Sequence, residues 1–118
     1  LKFKELCQEQ IEPFSSAEVM HGPKSLVENS FKLFKISTND NSGRTVNKDS
    51  SELQQYTKMC YEISFNKNST FFYKSFQISE LDTIIITSKF YPWIVKYALN
   101  KGLDPDNPRY LTKVTQTY

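Results

Sequence analysis

"FKLFKISTNDNSGRTVNKDSSELQQYTKMCYEISF", residues 31–65, decides the fold class. Residues 31–36 are aromatic and aliphatic side chains broken only by lysines, a strand pattern. The polar run 38–43, built from Thr, Asn, Asp, Ser and Gly, has the chemistry of a strand-to-helix connection. Residues 44–60 then read as a helix, with Leu53, Tyr56 and the Met59/Cys60 pair on one side. Residues 61–65 return to strand, 66–69 (Asn-Lys-Asn-Ser) form a turn, and 70–76 offer a third, short strand. Strand, crossover helix and strand make a βαβ unit, and the expected fold is α/β with a small, mainly parallel sheet.

On the N-terminal side, residues 1–10 have helical composition, with Phe3, Leu6 and Cys7 on one face. Pro13 stops that helix. Ser15-Ser16-Ala17-Glu18 pairs a capping serine with a glutamate and starts another. Gly22-Pro23 breaks it, and residues 24–29 allow one more helical turn. On the C-terminal side, residues 80–101 are the longest apolar segment. Leu81, Ile84, Ser88, Tyr91, Val95, Ala98 and Gly102 recur at helical spacing, and the aromatic residues of this segment read as core. The β-branched run 83–87 and Pro92 argue against one continuous helix, but the stripe crosses the proline, so a helix is expected, with a kink there. Gly102 ends it. Residues 103–118 carry turn chemistry (Asp104-Pro105-Asp106) and read as an extended tail.

Composition narrows the function classes. The 118 residues fit one domain, with 38% hydrophobic and 24% charged residues, nine Phe and seven Tyr, enough apolar material for a core. The net charge is +2 and the basic residues are dispersed, so no nucleic-acid surface is indicated. No apolar run approaches the roughly 20 residues of a membrane helix, and no signal peptide opens the sequence. Cys7 and Cys60 lack metal-ligand spacing and could pair in principle, but two isolated cysteines more often mean free thiols of a reducing, cytoplasmic setting. The sequence opens Leu1-Lys2-Phe3-Lys4-Glu5, without an initiator Met, and reads as a helix already in progress: either it was trimmed, or upstream residues were removed, or it is a piece of something larger. Taken singly, the candidate chemical groups are ordinary. A lone histidine is more often structural than catalytic. A glutamate beside lysines is usually a solvated helix face, and a lysine in a polar tail a solubilising charge.

Two motifs change that reading. Residues 1–27, "LKFKELCQEQIEPFSSAEVMHGPKSLV", resemble the central motif of sugar isomerase (SIS) domains: a helix ending L-K-x-K-E, a linker, then A-E-x-x-H-G-P. In particular they resemble the isomerase domain of glucosamine-6-phosphate synthases and the SIS-type glucosamine-6-phosphate deaminases. Residues 102–118, "GLDPDNPRYLTKVTQTY", resemble the C-terminal segment of the same proteins, G-x-D-x-D-x-P-x-x-L-x-K followed by Val and Thr. The resemblance implies a partial SIS lobe, flavodoxin-like, in three αβα layers, covering the second half of the second lobe. It implies aldose-ketose isomerisation of fructose 6-phosphate or glucosamine 6-phosphate, with amination or deamination at C2, and no metal or other cofactor. By the same resemblance, Glu5 moves a proton between C1 and C2, His21 assists ring opening, Lys113 meets the open-chain carbonyl, and Lys2 contacts substrate. The family's Ser/Thr-rich phosphate loop has no counterpart in this sequence. The expectation is therefore a fragment inactive alone, acting as a homodimer or with a partner chain that carries the missing SIS portion. The alternative is a non-catalytic module that binds sugar phosphate or serves subunit assembly.

Overall fold

The computed structural model describes residues 1–111. In chain order the elements are α1 (Lys2–Cys7), α2 (Ser16–His21), a 3-10 turn (Pro23–Leu26), β1 (Leu33–Ile36), α3 (Asn41–Leu53), β2 (Cys60–Ser64), β3 (Phe71–Phe72) and α4 (Ser79–Asn100). They divide into two compact units, Leu1–Glu12 with Ser88–Tyr118 and Pro13–Thr87. Helix α4 begins in the second and ends in the first.

The Pro13–Thr87 unit holds the sheet, in the order β1-β2-β3. Both pairings are parallel, with Lys35 opposite Glu62, Ile36 opposite Ile63, and Ile63 opposite Phe71. This is an α/β fold with a small parallel three-stranded sheet flanked by helices, as the strand-helix-strand pattern predicts. Helix α3 starts earlier than its apolar spacing suggests because Asp40 caps it: the carboxylate accepts the Gly43 N–H at 2.8 Å and the Thr38 hydroxyl at 2.9 Å. It also ends earlier, at Leu53. Beyond it the Thr57 hydroxyl donates to the Phe31 carbonyl at 2.5 Å and accepts the Met59 N–H at 3.1 Å, pinning the chain just before β2. Gly43 is demanded by the close return of the preceding loop, since a Cβ there would lie 1.8 Å from the Thr38 carbonyl oxygen.

Within this unit, Tyr73 is buried and its hydroxyl donates to the Ser37 carbonyl at 3.1 Å. Asp82, also buried, accepts the Ser75 hydroxyl at 2.5 Å and the Phe76 N–H at 2.9 Å. Burial, and then the negative charge of Asp82, push the Tyr73 hydroxyl from its ordinary 10.0 up to about 12. The folded state thus holds the phenolic proton more tightly than the unfolded chain. That contribution is complete below pH 10 and is lost as pH rises through about 12. Urea midpoints measured across this window are expected to fall with pH, and Tyr73→Phe is expected to flatten the decline. A slope identical in the two proteins would contradict the assignment.

In the other unit, α1 pairs with the C-terminal part of α4. Cys7, Ile94 and Ala98 are buried, and Phe3, Leu6, Phe90, Trp93, Tyr97 and Leu103 pack around them. The Phe3, Trp93 and Tyr97 rings lie 5.5–5.7 Å apart, within the range of favourable aromatic contact. Helix α4 closes in a Schellman arrangement: Gly102 adopts φ 74°, and Leu103 N–H reaches the Ala98 carbonyl at 3.0 Å. One expectation needs correction here. Leu81, Ile84, Ser88, Tyr91 and Val95, read from spacing as the apolar face of α4, are exposed, with Ile84 at 65%. Asp82, Ile86 and Ile94 are buried instead, while Ala98, also on the expected stripe, is buried as read. The helix is apolar on two sides, and periodicity alone does not select between two apolar stripes.

Candidate functional site

Helix α1 turns Phe3, Leu6 and Cys7 onto the aromatic core of its unit, as their spacing predicts. Polar bonds fasten the following segment. Glu9 Oε1 accepts the Tyr97 hydroxyl at 2.8 Å and Lys101 Nζ at 2.7 Å, and Lys101 also donates to the Cys7 carbonyl at 3.0 Å. Lys2 and Glu5, one helical turn apart, pair with each other: Lys2 Nζ donates to Glu5 Oε2 at 2.7 Å. The hydrogen bond to Glu5, and then its charge, hold the Lys2 ammonium above the ordinary lysine range. The Glu5 side chain is 21% exposed, and its second oxygen, Oε1, has no hydrogen-bond partner among the described residues. One carboxylate oxygen is therefore held and the other is open.

His21 belongs to the other unit. Its helix, α2, is started by a full capping box: Ser15 Oγ accepts the Glu18 N–H at 3.3 Å while Glu18 accepts the Ser15 N–H at 2.8 Å. His21 is the last residue of α2, directly before Gly22 and the proline-led 3-10 turn. An ion pair between Lys24 and Glu52 ties that turn to α3. The imidazole is exposed and has no hydrogen-bond partner among the described residues. Lys113 lies outside the described residues. The structure thus brings Lys2 and Glu5 together on α1 and presents His21 on a separate unit.

Helix N-termini attract anions. At α3 that position is taken by the chain's own Asp40 carboxylate, which the Gly43 N–H and then the Thr38 hydroxyl hold below the usual carboxylate range. Sequence reasoning missed a further polar group set under α3. It includes Lys35, whose place in an alternating strand suggests solvent but whose side chain is only 10% exposed. The available signal was charge on strands that a crossover helix covers. Among the described residues no group of three or more His, Cys, Asp or Glu is placed to hold a metal ion, and no helix is long and apolar enough to cross a membrane.

Comparison of the chain with protein-family models and with curated proteins finds no match. The fold defines the class: an α/β protein with a small parallel sheet and a paired lysine and glutamate on its N-terminal helix.

Proposed function

We propose that this chain is part of a sugar-phosphate isomerase or deaminase of the SIS type, a partial lobe of three αβα layers, acting on fructose 6-phosphate or glucosamine 6-phosphate. The observation that carries the reading is the two-motif match at residues 1–27 and 102–118, combined with a Glu5 carboxylate that keeps one oxygen open beside Lys2. In the reaction, Glu5 removes the proton from one of the adjacent carbons C1 and C2 of the open-chain sugar and returns it to the other. One carboxylate suffices because the hydroxyl and carbonyl exchange places across a shared enediol. Lys2 holds the carboxylate in place and meets the substrate. His21 assists ring opening, and Lys113 meets the carbonyl as an amine nucleophile or by polarising its oxygen. The test is turnover of both sugar phosphates by the natural gene product that bears this sequence. Interconversion or release of ammonia supports the reading, and inertness towards both overturns it.

The second reading, a non-catalytic module for sugar-phosphate binding or assembly, is favoured by one observation. Asp40 fills the N-terminus of α3, so that helix offers no grip on a phosphate. Phosphate binding remote from the reacting carbons is what positions them. On either reading the 118-residue chain alone is expected to leave both sugars unchanged.

Association with a second copy, or with a chain carrying the missing SIS portion, belongs to the same proposal. No described strand pairs with the outer edge of β1, and Ile84 and Leu99 are more than half exposed. Open strand edges and apolar faces are rarely left uncovered. Light scattering of the purified chain at high micromolar concentration is expected to report at least a dimer. A clean monomer would remove self-association from the account.

A further inference from the structure

We propose that the cleft between α3 and the β1–β2 face binds a small hydroxylated anion. The proposal does not rest on the isomerase reading: the cleft lies wholly within the Pro13–Thr87 unit and contains none of the residues assigned to that chemistry.

A crossover helix normally covers a parallel sheet with aliphatic side chains on both surfaces. Here the lining is polar except for Phe65. The cleft, about 570 Å³, is lined by Lys35, Glu62 and Ser64 from the sheet, Asn47 from α3, and Asn66 and Lys67 beyond β2. Its volume falls within the range of small-molecule sites. Lys35 and Glu62 are direct partners in the parallel register and form an ion pair at 3.0 Å, with side chains 10% and 19% exposed. Desolvation offsets much of the attraction in such a pair, so stability alone is a poor reason for placing it under a helix.

Three further groups are unspent. Asn47 Oδ1 is buried without a hydrogen-bond partner, which is costly for a polar atom. Ser64, 1% exposed, accepts the Asn66 N–H at 3.1 Å, while its own hydroxyl proton has no acceptor among the described residues. Lys67 is exposed beside the cleft with no ion-pair partner among the described residues. With Lys35 and Glu62 neutralising each other, the surplus charge is one cation, Lys67, supported by the Ser64 donor. That combination fits an anionic group. The unsatisfied acceptor on Asn47 fits a hydroxyl of the same ligand. A phosphate monoester and a hydroxycarboxylate share this chemistry.

The test is a titration of the 118-residue chain followed by backbone amide NMR, with glycerol 3-phosphate and glycerate as probes and sulfate and glycerol as controls. Saturable shifts at Asn47 and residues 64–67 are expected with at least one probe, and Lys67→Ala is expected to weaken them about tenfold. Binding of glycerol 3-phosphate alone would assign a phosphate monoester, and binding of glycerate alone a hydroxycarboxylate. Saturation by neither probe at about 20 mM would overturn the proposal. So would sulfate binding equally well, an adventitious ion only, or a Lys67→Ala protein that binds as before. Lys67 is exposed, so its removal leaves the fold standing. Asn47→Leu provides a second variant that removes the acceptor while filling similar volume, and unchanged binding there would also count against the site.

Discussion

Gly43→Ala is expected to destabilise the Pro13–Thr87 unit by about 3 kcal/mol, the upper part of the range for overpacking. In an exposed helix the same change normally stabilises, because alanine has the higher helix propensity. The sign reverses here because the added methyl would sit 1.8 Å from the Thr38 carbonyl oxygen and 2.8 Å from its carbon. Both are backbone atoms and cannot swing aside as a side chain can. Relief requires the β1–α3 loop to move, and that loop holds the Asp40 cap. Gly102→Ala calibrates the effect. Its site is uncrowded but left-handed, at φ 74°, so the expected cost is about 1 kcal/mol. Thermal melts followed by circular dichroism should place Gly43→Ala roughly 10 °C or more below the parent. A melting temperature equal to the parent's would mean the loop does not approach α3 as described.

Glu5→Gln is expected to lower turnover of sugar phosphate by the natural gene product about 100- to 10,000-fold, the usual contribution of a positioned general base. Glutamine keeps the length of the side chain and can still accept the Lys2 hydrogen bond through its amide oxygen. The α1 face that carries Phe3, Leu6 and Cys7 is untouched. Folding and the Michaelis constant should therefore change little while kcat falls, the pattern of an interaction used in the transition state. A fall in kcat together with a lower melting temperature would point to a structural role for the Lys2–Glu5 pair. An unchanged kcat would remove Glu5 from the chemistry.

The βαβ core was legible because its signals are local. The apolar run at β1, the polar connection and the return to strand at β2 each declare themselves within a few residues, and Ser15 with Glu18 forms the capping box its spacing promises. The end of α3 was not legible. It is set by Thr57 bonding across to Phe31, a contact between residues far apart in sequence. The buried face of α4 before Ala98 was misread for a related reason: two apolar stripes compete, and only packing against Cys7 and its neighbours selects Ile94. At the site, the adjacency of Lys2 and Glu5 follows from helical spacing. The polar cleft under α3 does not, because Lys35 and Glu62 meet only once the strand register is known.

The central claim, that Glu5 shuttles a proton between neighbouring carbons of a sugar phosphate, is tested most directly by incubating the natural gene product with fructose 6-phosphate in heavy water and locating deuterium by NMR. The account predicts deuterium at C1 or C2 of the recovered sugars with the parent protein and its near absence with Glu5→Gln. Deuterium entering at the same rate in both proteins, or in neither, would contradict it.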